Sequence, residues 1–185
     1  MHDGVSDEAL MAAYVAGDER AFQQLFQRTA PSIHAFFMRS FAEAAVADDL
    51  MQTTFFKMHR ARGQWRSDRR LRPWLFSIAA RVRIDELRRR YGLREDASPE
   101  AVERAADEAQ PASAEDEAER ADVAAAVQAA LARLPESQRV VVHLHRFAGL
   151  TFAEIGAILG ASEGAVKLRA FRAYSELRRR LNGLL

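Results

Sequence analysis

An all-α fold of two small helical domains joined by a flexible acidic linker is what this sequence predicts. Apolar residues recur at helical spacing in segment after segment. The two-residue alternation of a half-buried strand is absent, apart from Val140 to Val142 inside a longer helical stretch. Between the helical blocks lies a run rich in Ala, Glu, Asp, Pro and Ser. With 185 residues, 49% hydrophobic and 29% charged, the chain can bury two cores, in domains of roughly ninety and sixty-five residues.

The first helix is expected from about Asp7 to Ala16, stopped at Gly17. A second begins near Asp18, with Phe22, Leu25 and Phe26 on one face. A third opens at Pro31, a good first-turn residue, and carries Ile33, Phe36, Phe37 and Phe41. Ala45 to about Arg60 follows, with Val46, Leu50, Phe55 and Met58 as candidate core positions. Gly63 to Arg72 breaks the pattern with polar residues. Pro73 then opens a helix through Trp74, Leu75, Ile78, Val82, Ile84 and Leu87 to Arg90. Residues 1–91 are thus the first domain.

From 92 to 119, Leu93 and Val102 are the only larger aliphatics. So little apolar area does not offset the entropy of ordering, which predicts a flexible linker, with short helical turns possible within it. The second domain covers 120–185, with helices at about Asp122 to Arg133, Pro135 to Phe147, Phe152 to Leu159 and Glu163 to Leu181.

The last two helices form a mechanical unit. Thr151 and Glu154 have capping-box spacing at the start of a helix carrying Phe152, Ile155, Ile158 and Leu159. Gly160 is a left-handed stop, and Ser162 is a ready N-cap for the next helix. Helices joined by so tight a turn cross steeply, which is the helix-turn-helix, and the second one leads into a major groove. There Val166, Ala170, Ala173 and Leu177 form a core stripe, leaving Lys167, Leu168, Phe171 and Arg172 off it and Arg169 on its flank. Cationic side chains there suit phosphates or guanine edges, and Leu168 and Phe171 suit thymine methyls.

Net charge is only +1, but charge is segregated. Lys57 to Arg90 is densely basic, Glu95 to Asp122 mostly acidic, and Lys167 to Arg180 basic again. That pattern fits two polyanion-binding surfaces around an acidic connector. Other classes are disfavoured. With no cysteine, disulfides and thiolate metal sites are excluded. His143 and His145 sit two apart on an expected helix and diverge, and His2, His34 and His59 are scattered, so no metal or other cofactor is expected. No P-loop, nucleophile elbow or dinucleotide fingerprint is present, and the linker carboxylates have no pocket to tune them, so the chain is not expected to be an enzyme. The acidic start, MHDGVSDEAL, has no secretion signal and no run is long enough to span a membrane, which predicts a cytoplasmic protein without membrane contact of its own.

One segment carries more: ADDLMQTTFFKMHRARGQWRSDRRLRPWLFSIAARVRIDELRRR. Through Asp49, Leu50, Gln52, Thr54 and Phe55, the Arg-rich loop, and then Trp74, Leu75, Ile78, Ala79, Asp85, Leu87 and Arg88, it resembles the core-binding and promoter-melting regions of extracytoplasmic-function (ECF) sigma factors of the sigma-70 superfamily. LPESQRVVVHLHRFAGLTFAEIGAILGASEGAVKLRAFRAYSELRRRL resembles that family's promoter-reading region. Both stand in the family's order and separation, and together they cover nearly everything but the linker.

The resemblance implies a sigma2-type domain, a linker and a sigma4-type domain, together directing promoter-specific initiation by RNA polymerase. It implies that Asp48, Asp49, Gln52 and Thr53 meet the clamp helices of the largest core subunit, and that the second domain meets the flap of the second subunit. The loop Gln64–Leu71 would hold the melted −10 strand. Trp65 would be its stacking platform or wedge, worth roughly 1–3 kcal/mol per base. Arg66, Ser67, Asp68, Arg69, Arg70 and Arg72 would lie along the strand, with Arg81, Arg83 and Arg88 on the helix behind. Ser162, Lys167, Leu168, Arg169, Phe171 and Arg172 would meet the −35 duplex, Arg169 through phosphates. The acidic linker, with Glu115, Asp116, Glu117 and Glu119, would either thread a basic polymerase channel or serve as a solubilising spacer. An anti-sigma factor is the further partner implied. Family departures stand at Thr53, His59, Arg81, Leu168 and Ala170, where glutamate, tryptophan, asparagine, serine and a larger aliphatic are common. The competing reading is a polymerase-independent helix-turn-helix regulator, to which the loop WRSDRRLRPW would be of no use.

Overall fold

The computed structural model describes residues 4–94, 96–109 and 123–182, and among them the regular elements are all helical. By contact the chain divides into two compact units, Met1–Arg83 and Ile84–Leu185. The division falls inside one helix.

In the first unit, α1 (Asp7–Val15) is N-capped by Ser6, whose Oγ accepts from the Ala9 amide at 3.1 Å. Next comes α2 (Glu19–Phe41), capped by Asp18, whose Oδ1 accepts from the Arg20 and Ala21 amides. Where two helices were expected on either side of Pro31, there is one. An internal proline removes a backbone hydrogen bond and costs about 3 kcal/mol. Here Leu25, Ile33, Phe36 and Phe37 are all buried, so the core-facing stripe runs unbroken past the proline. Nearby hydroxyls also bond the helix backbone: Thr29 Oγ1 donates to the Leu25 carbonyl and Ser32 Oγ to that of Thr29.

The helix α3 (Ala44–Ala61) packs on α2 and buries Ala47, Thr54, Phe55 and Met58. Val46 and Leu50, expected in the core, are only half-buried. A 3-10 turn, Arg62–Gln64, and a loop lead to α4 (Leu71–Arg90). Phe36 and Phe76 meet edge to face at 5.8 Å, fixing α4 on α2, and the Leu71 amide donates to Glu8 of α1 at 3.0 Å.

The second unit contains α5 (Pro99–Ala109), α6 (Val123–Ala132), α7 (Glu136–Val142), α8 (Phe152–Leu159) and α9 (Glu163–Leu181). The long helix expected to Phe147 changes at His143 into a π-helical turn, His143–Phe147. His143 is buried and stacks on Phe147, while His145 stacks on Phe152. Around α9 gather α6, α7 and α8. Leu131, Leu134, Val142 and Ala173 make the core there, with Val127, Tyr174 and Leu177 against it.

The helix α5 departs from the expected flexible linker of 92–119. Val102 and Ala106, four residues apart, are both buried, as is Glu103 between them. Counting aliphatics along the linker misses the surface that α7 supplies on the other side. The linker acids Glu115, Asp116, Glu117 and Glu119 lie outside the described residues.

Candidate nucleic-acid interface

The turn between α8 and α9 is built as its residue types require. Thr151 Oγ1 accepts from the Glu154 amide at 3.2 Å while Glu154 Oε2 accepts from the Thr151 amide at 2.7 Å. Gly160 closes α8 at φ +66°, a left-handed value that suits glycine. Ser162 Oγ then caps α9 by accepting from the Ala165 amide at 3.2 Å. Gly156 allows the two helices to close: a Cβ there would lie 2.7 Å from the Ala161 carbonyl oxygen.

On α9, Val166, Ala170 and Ala173 are buried and Leu177 half-buried. Ser162, Lys167, Leu168, Phe171 and Arg172 are exposed. Leu168 at 49% and Phe171 at 69% are large apolar side chains turned to water. Lys167 pairs with Glu163 at 2.7 Å, both exposed, an interaction worth at most about 1 kcal/mol and readily exchanged. Arg169 is held differently. Its Nη1 lies 2.7 Å from Oε2 of Glu103, a carboxylate only 1% exposed.

In the first unit, Arg66, Ser67, Asp68, Arg69 and Arg70 are exposed together on one loop. Arg66 grips Asp68 with two hydrogen bonds, at 3.1 and 3.0 Å, and this holds the Asp68 carboxyl below its ordinary range. Arg72 is half-buried and lies 3.8 Å from Asp7. Arg81 is exposed on α4.

Three expected strand contacts sit elsewhere. Trp65 is 8% exposed, so its ring is part of the core rather than an open stacking platform. Arg83 is fully buried, its Nε donating to Ser40 Oγ at 3.1 Å, because α4 turns position 83 inward against α2. Arg88 is half-buried, donating to the Ala97 carbonyl at 2.6 Å and to Asp85 at 3.2 Å, which ties down the start of the connector.

A further surface lies on α3. Asp48, Asp49, Gln52 and Thr53 are all exposed, and Asp48 is 3.4 Å from His34. Phe56, 61% exposed, extends the same face, since 49, 52, 53 and 56 follow helical spacing. That spacing is present in the sequence, yet sequence reasoning passes over Phe56. Beside it, Tyr14, Glu19, Phe22, Gln23, Phe55, Phe56 and His59 line an open groove of about 460 Å³, in which the Tyr14 hydroxyl hydrogen-bonds His59 Nδ1. Burial pushes the Tyr14 hydroxyl pKa up. Among the described residues no group of acids and histidines is arranged to hold a metal. No described helix is long and apolar enough to cross a membrane.

Residues 25–92 match the family model for sigma-70 region 2, and residues 124–177 that for sigma-70 region 4. The chain is 37% identical over 174 residues to the RNA polymerase sigma factor CarQ of Myxococcus xanthus, covering 94% of this chain and 97% of CarQ. It is 36% identical over 179 residues to the ECF RNA polymerase sigma factor SigM of Mycobacterium tuberculosis, covering 97% and 86%. The structure of CnrH in complex with the cytosolic domain of CnrY is similar with a TM-score of 0.63 at 27% identity, covering 96% of this chain and 97% of that one. The sigma factor RpoE in complex with the anti-sigma factor NepR from Bartonella quintana shares the fold, with a TM-score of 0.65 at 22% identity over 87% of this chain and 96% of RpoE. This chain belongs to the ECF sigma factors of the sigma-70 family. Sigma factors are transcription initiation factors with no catalytic activity of their own.

Proposed function

We propose that this protein binds RNA polymerase core and directs it to promoters, melting the −10 element with its first unit and reading the −35 duplex with α9. The observation that carries the reading is the joint exposure of Arg66, Ser67, Asp68, Arg69 and Arg70 on one loop. A factor that read only duplex DNA would have no need of it. Single-strand binding combines cationic groups that follow the backbone with polar contacts to unstacked bases. In this reading, Arg72 and Arg81 add positive charge behind the loop, while Trp65 and Arg83 hold loop and helix in place from inside the core.

On the duplex side, Lys167 and Arg172 meet phosphates or guanine edges and Leu168 and Phe171 meet thymine methyls, with Ser162 at the leading end of the helix. The exposed face of Asp48, Asp49, Gln52 and Thr53, with Phe56, docks on the clamp helices of the largest core subunit. The second unit meets the flap of the second subunit. An anti-sigma factor controls the protein by covering these faces. The CnrH structure, which holds the cytosolic domain of CnrY, supports a protein partner of that kind.

The test is reconstitution. The chain should co-elute with core polymerase and support promoter-specific run-off transcripts, and Asp49→Lys together with Gln52→Ala should weaken both. A chain that binds promoter duplex by itself but neither binds core nor initiates is a polymerase-independent regulator, and this proposal fails.

A further inference from the structure

The helix α5 is fastened at three points, two of them on the helix-turn-helix and the third on α7. At one end, Pro99 abuts Gly160, the glycine of the turn, with its Cγ 3.4 Å from where a Cβ would stand. In the middle, Glu103 pairs with Arg169 of α9 at 2.7 Å. At the other end, Asp107 accepts from the Ser137 amide at 3.0 Å and from its hydroxyl at 2.6 Å. That contact supplies a cap to α7, whose own N-cap, Pro135, offers no side-chain bond. Val102 and Ala106 are buried by the same docking.

The charges make this more than packing. A carboxylate as buried as Glu103 is costly unless a cation stays beside it. Arg169, on the flank of the exposed face of α9, is that cation. Turning to a DNA phosphate would take Arg169 from this buried carboxylate and so weaken the hold of α5.

We infer that α5 is an intramolecular clasp on the helix-turn-helix: docked, it keeps Arg169 from the phosphate backbone, and duplex binding by α9 competes with it. The inference rests on the reading of α9 as the duplex-binding helix. By linkage, whatever loosens the clasp raises affinity for duplex, and duplex loosens the clasp to the same extent.

The test uses the full chain and a short mixed-sequence DNA duplex, titrated across salt concentrations. Because duplex binding opens the clasp in the unmodified chain too, both proteins end with Arg169 on the duplex and share one salt slope. Glu103→Gln, with no clasp to open, should bind at least about fivefold more tightly at each salt concentration. Glu100→Gln removes the same charge from an exposed position of the same helix and should change affinity by less than about twofold. Arg169→Gln should abolish the gain from Glu103→Gln. Independently of any variant, hydrogen exchange of the unmodified chain should show the amides of Pro99–Ala109 losing protection when duplex is added. Equal effects of Glu103→Gln and Glu100→Gln, or unchanged protection of α5 at saturating duplex, would overturn the clasp. If Arg169→Gln weakens binding while Glu103→Gln does nothing, the clasp alone is wrong. If neither the unmodified chain nor Glu103→Gln binds duplex at low salt, α9 is not a duplex reader and the clasp falls with that reading.

Discussion

Replacing Gly156 by alanine separates helix propensity from tertiary fit. In an exposed helix interior the change would stabilise by about 1 kcal/mol, since glycine gives up more backbone entropy on folding. Here the new Cβ would lie 2.7 Å from the Ala161 carbonyl oxygen, 3.5 Å from the Glu163 nitrogen and 3.6 Å from the Ser162 carbonyl carbon. All three are backbone atoms of the turn, so no side chain can swing aside. The turn must retreat, which strains the 3.0 Å bond from the Ala161 amide to the Gly156 carbonyl. Overpacking of this kind costs about 1–3 kcal/mol, which leaves a net loss of up to about 2 kcal/mol after the propensity gain.

The assay must see the second unit. Both tryptophans, Trp65 and Trp74, lie in the first, so tryptophan fluorescence is the internal control and far-UV circular dichroism carries the signal. The Gly156→Ala transition of the second unit should fall by up to about 15 °C, with the tryptophan-reported transition unmoved. Gly164→Ala is the counterpart. Its Cβ would meet nothing nearer than Ser162 Oγ at 4.0 Å, so this variant should gain up to about 1 kcal/mol. Stability raised in Gly156→Ala as far as in Gly164→Ala would refute the close-approach argument.

Trp65→Ala should cost the first unit about 3–5 kcal/mol, as for any large buried aromatic, read in the fluorescence of the remaining Trp74. Loss of single-strand binding with stability intact would instead make Trp65 a surface platform. Arg83→Met should destabilise the first unit and Arg81→Met should not, because only Arg83 is buried against Ser40; urea unfolding of both variants checks this. Arg89, and then Arg90, hold the Glu86 carboxyl below its ordinary pKa. A depressed folded pKa contributes stability that is present above the unfolded value of about 4.3 and lost as pH falls through the folded one. Glu86→Gln should therefore be less stable than the unmodified chain at neutral pH and equal to it in strong acid, and a pH-independent difference would count against the pairing.

Much of the helix-turn-helix was legible in the chain itself. Thr151, Glu154, Gly160 and Ser162 act through contacts a few residues apart, so the expected bounds of α8 and α9 coincide with those observed. The core stripe of α9 followed from spacing alone, since burial on a helix repeats every three to four residues. Pro31 misled because its local cost is real, and only the burial of Leu25, Ile33, Phe36 and Phe37 along one face outweighs it. In α4, arginines 81 and 83 are equivalent as sequence, yet one is exposed and the other fully buried. Which way each turns depends on what α2 offers at that height of the helix, and no local pattern encodes it.

The linker shows the division most sharply. Its composition alone argued for disorder, because 92–119 has too few aliphatics to make a core of its own. Tertiary structure gave Val102 and Ala106 a surface to bury against, and it placed Glu103 beside Arg169, sixty-six residues away in sequence. Capping, periodicity and the two sigma-70 regions belong to the sequence, because their interactions are local or repeat at fixed intervals. The burial of Arg83 and Trp65 and the docking of α5 belong to the tertiary fold, because a side chain's partner across such a distance exists only once the chain has closed.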